Sequence, residues 1–324
     1  MEIDRVNLWK MRLSMAGTLA IIIGVSTLGF ALFMALGGVY NIVYLVVVVA
    51  IFNILQWLIA PYLVNALYRV RQLKEDEYPE LHRVVDELSQ RSRIKKPRLV
   101  FSDIPIPNAF AYGSPLTGNR VAVTRGLIRE LEQEEVESVI GHELGHLKHR
   151  DVQIMMFVSF LPSLFYMLSR SMLYSSYYGG RDRRDSGGVA LIGSVSMLIY
   201  FFLLMFTLGL SRLREYYADQ HSASLIDDGA RKLSEALAKI SSSTWRIQKA
   251  SRERIALSGF KTLFIADPDK AGQDTADLFQ VRHGGPDQEL VRSILGRRVT
   301  RFDAFAELFS THPNIVKRLR ALKS

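Results

Sequence analysis

Two histidines and a glutamate stand close together at Gly141-His142-Glu143-Leu144-Gly145-His146. In a helix, His142 and His146 fall about 40° apart in azimuth and roughly 6 Å apart along the axis. Both imidazoles can therefore reach one zinc ion at about 2.0–2.1 Å. Glu143 stands next to the first histidine, where its carboxylate can face the attacking water without being a ligand. That is the arrangement of a general base beside a hydrolytic zinc ion. The apolar residues Val136, Val139, Ile140, Leu144 and Leu147 show that the same helix must also pack. Packing alone does not explain two histidines on one face.

Such a site needs a third protein ligand and an open fourth position. His149 lies near the same azimuth but about 10 Å along the axis from His142, so the three cannot share one ion. The position ten residues beyond His142, where another class of zinc protease has its third histidine, is Val152. A better candidate lies in Ser211-Arg212-Leu213-Arg214-Glu215-Tyr216-Tyr217-Ala218-Asp219. An apolar run ends at Leu210, and a continuing helix carries Glu215 about 7 Å beyond it. His146 precedes another apolar run by roughly 9 Å of helix. If both runs cross a membrane, the hairpin returns Glu215 to the face that holds the histidines. Asp219, one turn further on, shares the Glu215 face and can accept a hydrogen bond from the free ring nitrogen of a ligand histidine. Glu235, an acid further along, is expected to play no part.

The elements that must position these residues follow from where charge is missing. Residues 16–36, 42–60, 152–168 and 189–210 are uncharged runs close to the roughly 20 residues that span a bilayer core. We read them as four transmembrane helices, the first uncleaved, since it is too long for a signal-peptide core and a second span follows almost at once. Arg5, Lys10, Arg12, Arg69, Arg71, Lys74, Lys148, Arg150, Arg212 and Arg214 flank these runs on one side. The positive-inside rule then places both termini and both polar segments in the cytoplasm of a multi-pass cell-membrane protein. The division expected is a transmembrane hairpin at 1–65, a polar part with the histidine helix at 66–151, a second hairpin at 152–210, and a polar part with the third ligand at 211–324.

The first polar part reads as mixed structure. Helical spacing covers 77–91, strands are expected at 98–101 and 120–123, and a proline-flanked edge strand at 104–113. A helix opens at Glu132 or Gln133 and runs to about Arg150. The second polar part is helical to about Lys249, loop-like at 266–286, and helical again over 299–322. Of 324 residues, 41 are Lys or Arg and 32 Asp or Glu, a net charge of +9. The two signs are interleaved without a basic block, which argues for an anionic lipid face and against nucleic acid. No cysteine is present, so disulfides, thiolate metal sites and cysteine nucleophiles are excluded.

The His142-Glu143-Leu144-Gly145-His146 motif, the two spans behind it and Ser211-Arg212-x-x-Glu215-Tyr216-x-Ala218-Asp219 resemble the HtpX family of membrane zinc metallopeptidases. Pro107-Asn108-Ala109-Phe110-Ala111, the run Val121–Leu127 and Thr311-His312-Pro313 extend the likeness over most of the chain. Residues 242–300 show little that matches it. The resemblance implies a mainly α integral membrane protein with a cytoplasmic zincin-like α+β metalloprotease domain. It implies an ATP-independent, stress-related endopeptidase with one zinc per chain, held by His142, His146 and Glu215. Glu143 would be the base, and the substrates damaged or misassembled membrane proteins. It further implies that Asn108 and Ala109 belong to an edge strand that pairs with substrate, and that His312 contacts the substrate carbonyl or the oxyanion. Arg318 is a weaker candidate there, expected to be solvated. Two other readings are a peptidase acting on prenylated CAAX tails, in the same superfamily, and a non-hydrolytic membrane metal-binding protein. The latter predicts ionisable groups inside the spans, and there are none.

Overall fold

A computed structural model describes residues 42–178, 186–250 and 287–323. The first apolar run and the loop expected at 266–286 lie outside them. The described residues of 42–57 and 153–213 form one compact unit, and those of 58–152 and 214–323 a second.

The first unit is helical. It holds the first part of α1 (Ile42–Leu67) and most of α5 (Asp151–Tyr178) and α6 (Ser186–Leu225). Val158, Phe165 and Leu168 of α5 pack with Leu203 and Leu210 of α6, and Ser169 Oγ donates to the Gly193 carbonyl at 2.8 Å. The outward residues are apolar too, among them Phe157, Leu191, Leu198, Phe201 and Phe202. A helix surface apolar on both faces is what lipid requires. By length and composition, α5 and α6 can each cross a membrane. The second apolar run is also helical, within α1, and exposes Val43, Val47 and Ile51.

The second unit is built on a four-stranded sheet of order β1-β2-β4-β3, from β1 (Val70–Gln72), β2 (Arg98–Ser102), β3 (Ala109–Ser114) and β4 (Gly118–Thr124). Strands β2 and β4 are parallel, and β3 runs antiparallel to β4 as a free edge. Helices α2 (Pro79–Ser92), α3 (Arg125–Glu130), α4 (Gln133–Lys148) and α7 (Gly229–Ala250) pack around it. Their core includes Val85, Leu88, Val121, Val123, Val139, Ile140, Leu144, Leu233 and Leu237. Local sequence sets the helix ends. Pro79 opens α2, which stops at Arg93 in the left-handed region (φ 57°). Glu132 and Glu135 form a capping box at the start of α4.

Helix α4 ends at Lys148, within two residues of its expected end: His149 is its C-cap, and Arg150 turns left-handed (φ 56°) before α5 begins. One expectation is corrected. The helical stretch expected over 299–322 is two short helices, α9 (Arg301–Glu307) and α10 (Ile315–Lys323), parted by a turn that carries His312 and Pro313. Strand β1 and α8 (Asp287–Leu295) were not foreseen.

Two motif glycines let α4 meet α6. A Cβ on Gly145 would lie 3.1 Å from the Ala218 Cα, and one on Gly141 2.8 Å from Ile226 Cδ1. Any side chain at Gly145 would push back the backbone one residue before Asp219.

Candidate metal centre

Helix α4 presents His142 and His146 on one face, and α6 faces them with Glu215. The two Nε2 atoms lie 3.2 Å apart. Glu215 Oε2 is 3.7 Å from the Nε2 of His142, and Glu215 Oε1 is 3.5 Å from that of His146. One ligand atom from each residue thus falls within 4.8 Å of the others, a cluster able to hold a metal ion. Glu215 Oε2 is buried without a hydrogen bond among the described residues. His312 Nδ1 and Arg318 Nη1 face that oxygen at 3.2 and 3.3 Å, and the two Nε2 atoms complete its surroundings, so a cation there would meet a buried, ionised carboxylate.

Each ring is oriented from behind. His142 Nδ1 lies 2.9 Å from Asp219 Oδ1. Arg318 grips Asp219 twice, with Nε donating to Oδ2 at 2.9 Å and Nη2 to Oδ1 at 2.6 Å. On the other side, His146 Nδ1 lies 2.6 Å from Asp151 Oδ2, and Arg214 Nε is 3.1 Å from the same oxygen. With both Nδ1 atoms engaged by carboxylates, both Nε2 atoms are left for an ion.

The charges follow from these contacts. Burial alone would raise the Glu215 pKa, but His312, Arg318 and His146 outweigh it and hold it well below the usual carboxylate range. Asp219 is likewise lowered: burial opposes ionisation, and Arg318 and His142 overcome it. Burial would depress His146, yet the Asp151 hydrogen bond and the charges of Glu215 and Asp151 lift it to about 9. Glu143 moves the other way, raised chiefly by burial despite the two histidines. A carboxyl of raised pKa beside ionised Glu215 is the division of labour that a proton carrier needs.

Glu143 Oε2 accepts a hydrogen bond from the Ala111 N–H at 2.7 Å. That bond ties the acid to the free edge of β3. Asn108, just before the strand, gives its N–H to Thr124 Oγ1 at 2.9 Å, and its carbonyl accepts the Thr124 N–H at 3.0 Å. The alternation of an antiparallel ladder then turns the backbone groups of Ala109 and Ala111 outward. His312 Nδ1 lies 3.2 Å from Glu215 Oε2.

Arg318 is corrected outright. It is 1% exposed, Nη1 lies 3.3 Å from Glu215 Oε2, and it links Glu215 to Asp219. His149 stands apart, its ring against Tyr217 and His221. Glu235 has no part in the cluster but is buried, with Arg231 Nη1 donating to it at 2.7 Å. Sequence reading missed Asp151 and Arg214. The available signal was an acid five residues after the second histidine, at the helix break that turns it back.

Comparison with known proteins agrees with this geometry. The profile of peptidase family M48 matches residues 75–324. The protein named "Protease HtpX homolog" of Thermoplasma acidophilum is 34% identical, over 98% of this chain and 98% of its own. That of Aeropyrum pernix is 35% identical over 96% and 94%, and that of Archaeoglobus fulgidus 36% over 96% and 86%. Among solved structures, S. mikatae Ste24p shares the fold with a TM-score of 0.55 at 18% identity, over 98% of this chain and 67% of that one. With relatives matched along almost their whole length, and with a metal-ligating cluster inside the matched region, the chain belongs to peptidase family M48 and is a membrane metalloprotease.

Proposed function

We propose that the protein is a zinc-dependent endopeptidase of the cell membrane, with four spans and its site in the cytoplasm, acting on misfolded or damaged membrane proteins. His142, His146 and Glu215 would hold the ion. The two Nε2 atoms are 3.2 Å apart, and the carboxylate reaches them with one oxygen each, Oε1 at 3.5 Å from His146 and Oε2 at 3.7 Å from His142, near the roughly 3.3–3.6 Å between ligands on a tetrahedral zinc with bonds of about 2.0–2.2 Å. Two imidazoles and a carboxylate also suit zinc by donor type. Zinc there supplies Lewis-acid polarisation of a carbonyl and lowers the pKa of water towards about 7.

Protein groups do the rest. Glu143 takes a proton from the attacking water and returns one to the leaving amide nitrogen. Its raised pKa lets it hold that proton in between. Substrate adds as a strand to the open edge of β3, through the backbone around Ala109 and Ala111, with Asn108 anchoring that edge. Main-chain pairing of this kind reads little side-chain identity, which fits a protease for damaged proteins. Arg318 presents positive charge beside Glu215, and His312, whose Nδ1 lies 3.2 Å from Glu215 Oε2, would steady the oxyanion.

The observation that carries the reading is the convergence of two Nε2 atoms and Glu215 beside a base bonded to an edge strand. Its test is Glu143→Gln in purified full-length protein. Zinc should remain near one per chain while casein cleavage falls by roughly two to four orders of magnitude. Cleavage at the wild-type rate, with contaminating protease excluded, would remove Glu143 from the mechanism.

A further inference from the structure

Helix α9 of the second unit is amphipathic in the wrong sense for a protein surrounded only by water. Of its two acids, Asp303 is spent on capping the helix start, and Glu307 points inward: it is buried, its Oε1 accepts the Asn314 N–H at 3.3 Å, and Lys317 pairs with it. Its aromatics point outward. Phe302 is 67% exposed, Phe305 and the following Phe309 59% each, and Leu308 46%. The Phe305 and Phe309 rings stack edge-on at 5.5 Å, so the patch is continuous. Together these side chains show roughly 400 Å² of apolar surface, a size that marks a contact site. Outside the three long apolar helices, the other large apolar residues exposed among the described ones are Tyr78 and Leu116, which stand singly. Arg298 and Arg301 flank the patch. Both are exposed, and neither has an ion-pair partner among the described residues.

We propose that this face lies in the interfacial layer of an anionic phospholipid bilayer. The aromatic rings and Leu308 enter the acyl boundary, while Arg298 and Arg301 meet lipid phosphates. The arginines decide the occupant. An apolar segment of a substrate protein has no use for two cations at the rim. A second copy docked by a twofold axis would set the arginines of both copies against one another. The chain of this unit also runs on into α5 and α6, which can each cross a membrane, so the unit is tethered to a bilayer. Only Ser310 and Thr311 separate the patch from His312, so lipid contact here fixes the position of the loop that reaches Glu215.

The chain has no cysteine, so single labels are clean. Full-length Phe305→Cys, and Glu87→Cys on the exposed face of α2, would each carry an environment-sensitive fluorophore. Both are reconstituted in phosphatidylcholine vesicles with and without phosphatidylglycerol. With phosphatidylglycerol, the label at 305 should be quenched by lipids brominated in their acyl chains and shielded from iodide, and the label at 87 the reverse. Changing Arg298→Gln and Arg301→Gln should shift the 305 label towards water by on the order of five-fold per arginine in anionic vesicles, and less in phosphatidylcholine alone. An even elution profile and unchanged helix content in detergent report folding, and Phe302→Cys replaces Phe305→Cys if that variant misfolds. A 305 label open to iodide and blind to bromolipid overturns the proposal. So does shielding that appears only on adding casein, which would mean substrate, or only with rising protein concentration, which would mean a second copy.

Discussion

His142 leans on Asp219, which Arg318 grips through two nitrogens from inside the protein, whereas His146 leans on Asp151, which Arg214 reaches through one. The nitrogen-to-oxygen distances behind the rings are similar, 2.9 Å and 2.6 Å. Their settings are not. The side chains of His142 and Arg318 are 1% exposed, and those of His146 and Arg214 12%. Arg318 also pairs with Glu215, the proposed third ligand, and Arg214 makes no such pair among the described residues. One histidine is therefore fixed by a buried network joined to the rest of the cluster, the other by a local pair at its rim. A buried charge network is costly to break, because each remaining charge is left without a partner. The local pair is buried as well, but Asp151 keeps its bond to His146 when Arg214 is lost, so no charge is left without a partner.

Glu215 is common to both arms, so its loss should have the largest effect. Glu215→Ala leaves two imidazoles and an unpaired Arg318. Metal content measured on purified protein should fall from near one per chain to near zero, and proteolysis with it, because a complete site depends on ligand count. Normal metal content in this variant would place the third ligand elsewhere.

Stability separates the arms next. Arg318→Met keeps the bulk but leaves Asp219 and Glu215 buried without their cation, at a cost of about 3–5 kcal/mol. Thermal unfolding of the metal-free protein in detergent should show it as a clear fall in midpoint. An unchanged midpoint would mean that the two carboxylates are neutral in the folded state, against the lowered pKa of each.

Metal affinity compares the acids themselves. Asp219→Ala and Asp151→Ala should each weaken binding by about 10–100-fold, the range for a carboxylate behind a ligand histidine. Asp219 should sit at the upper end, since its removal also frees Arg318 to draw charge from Glu215. A competitive chelator titration reads both. An Asp151 effect clearly larger than that of Asp219 would invert the ranking of the arms.

The two arms also differed in how far the sequence revealed them. Asp219 follows Glu215 by one helical turn, so periodicity alone put it on the right face. Asp151 follows His146 by five residues, across a break that depends on Arg150 adopting a left-handed backbone, and no helical spacing predicts that. Arg318 was out of reach for a different reason. It is 99 residues from Asp219, and nothing local distinguishes a buried arginine from a solvated one. The strands β2 and β4 and the helices α2 and α4 were legible because their apolar residues keep a regular period. Strand β1 was not, since three residues with only one apolar side chain, Val70, carry no period. The break between α9 and α10 was hidden by apolar spacing that continues across it, although Pro313 marks the place.

The smallest effect expected is at Arg214. Removing its charge with Arg214→Gln leaves the 2.6 Å hydrogen bond between His146 and Asp151 in place, and Asp151 keeps its role behind the ring. What is lost is a single contact of 3.1 Å to a carboxylate that is 2% exposed but still bonded to His146. Asp151 stays partnered, so metal affinity should drop by less than the roughly 10-fold expected for losing the acid itself. The same chelator titration tests it, and the wild-type advantage over Arg214→Gln should change little with salt, because the pair is buried. A loss as large as that of Asp219→Ala would mean that Arg214, and not Asp151, fixes the His146 ring, and the two arms would then be built alike.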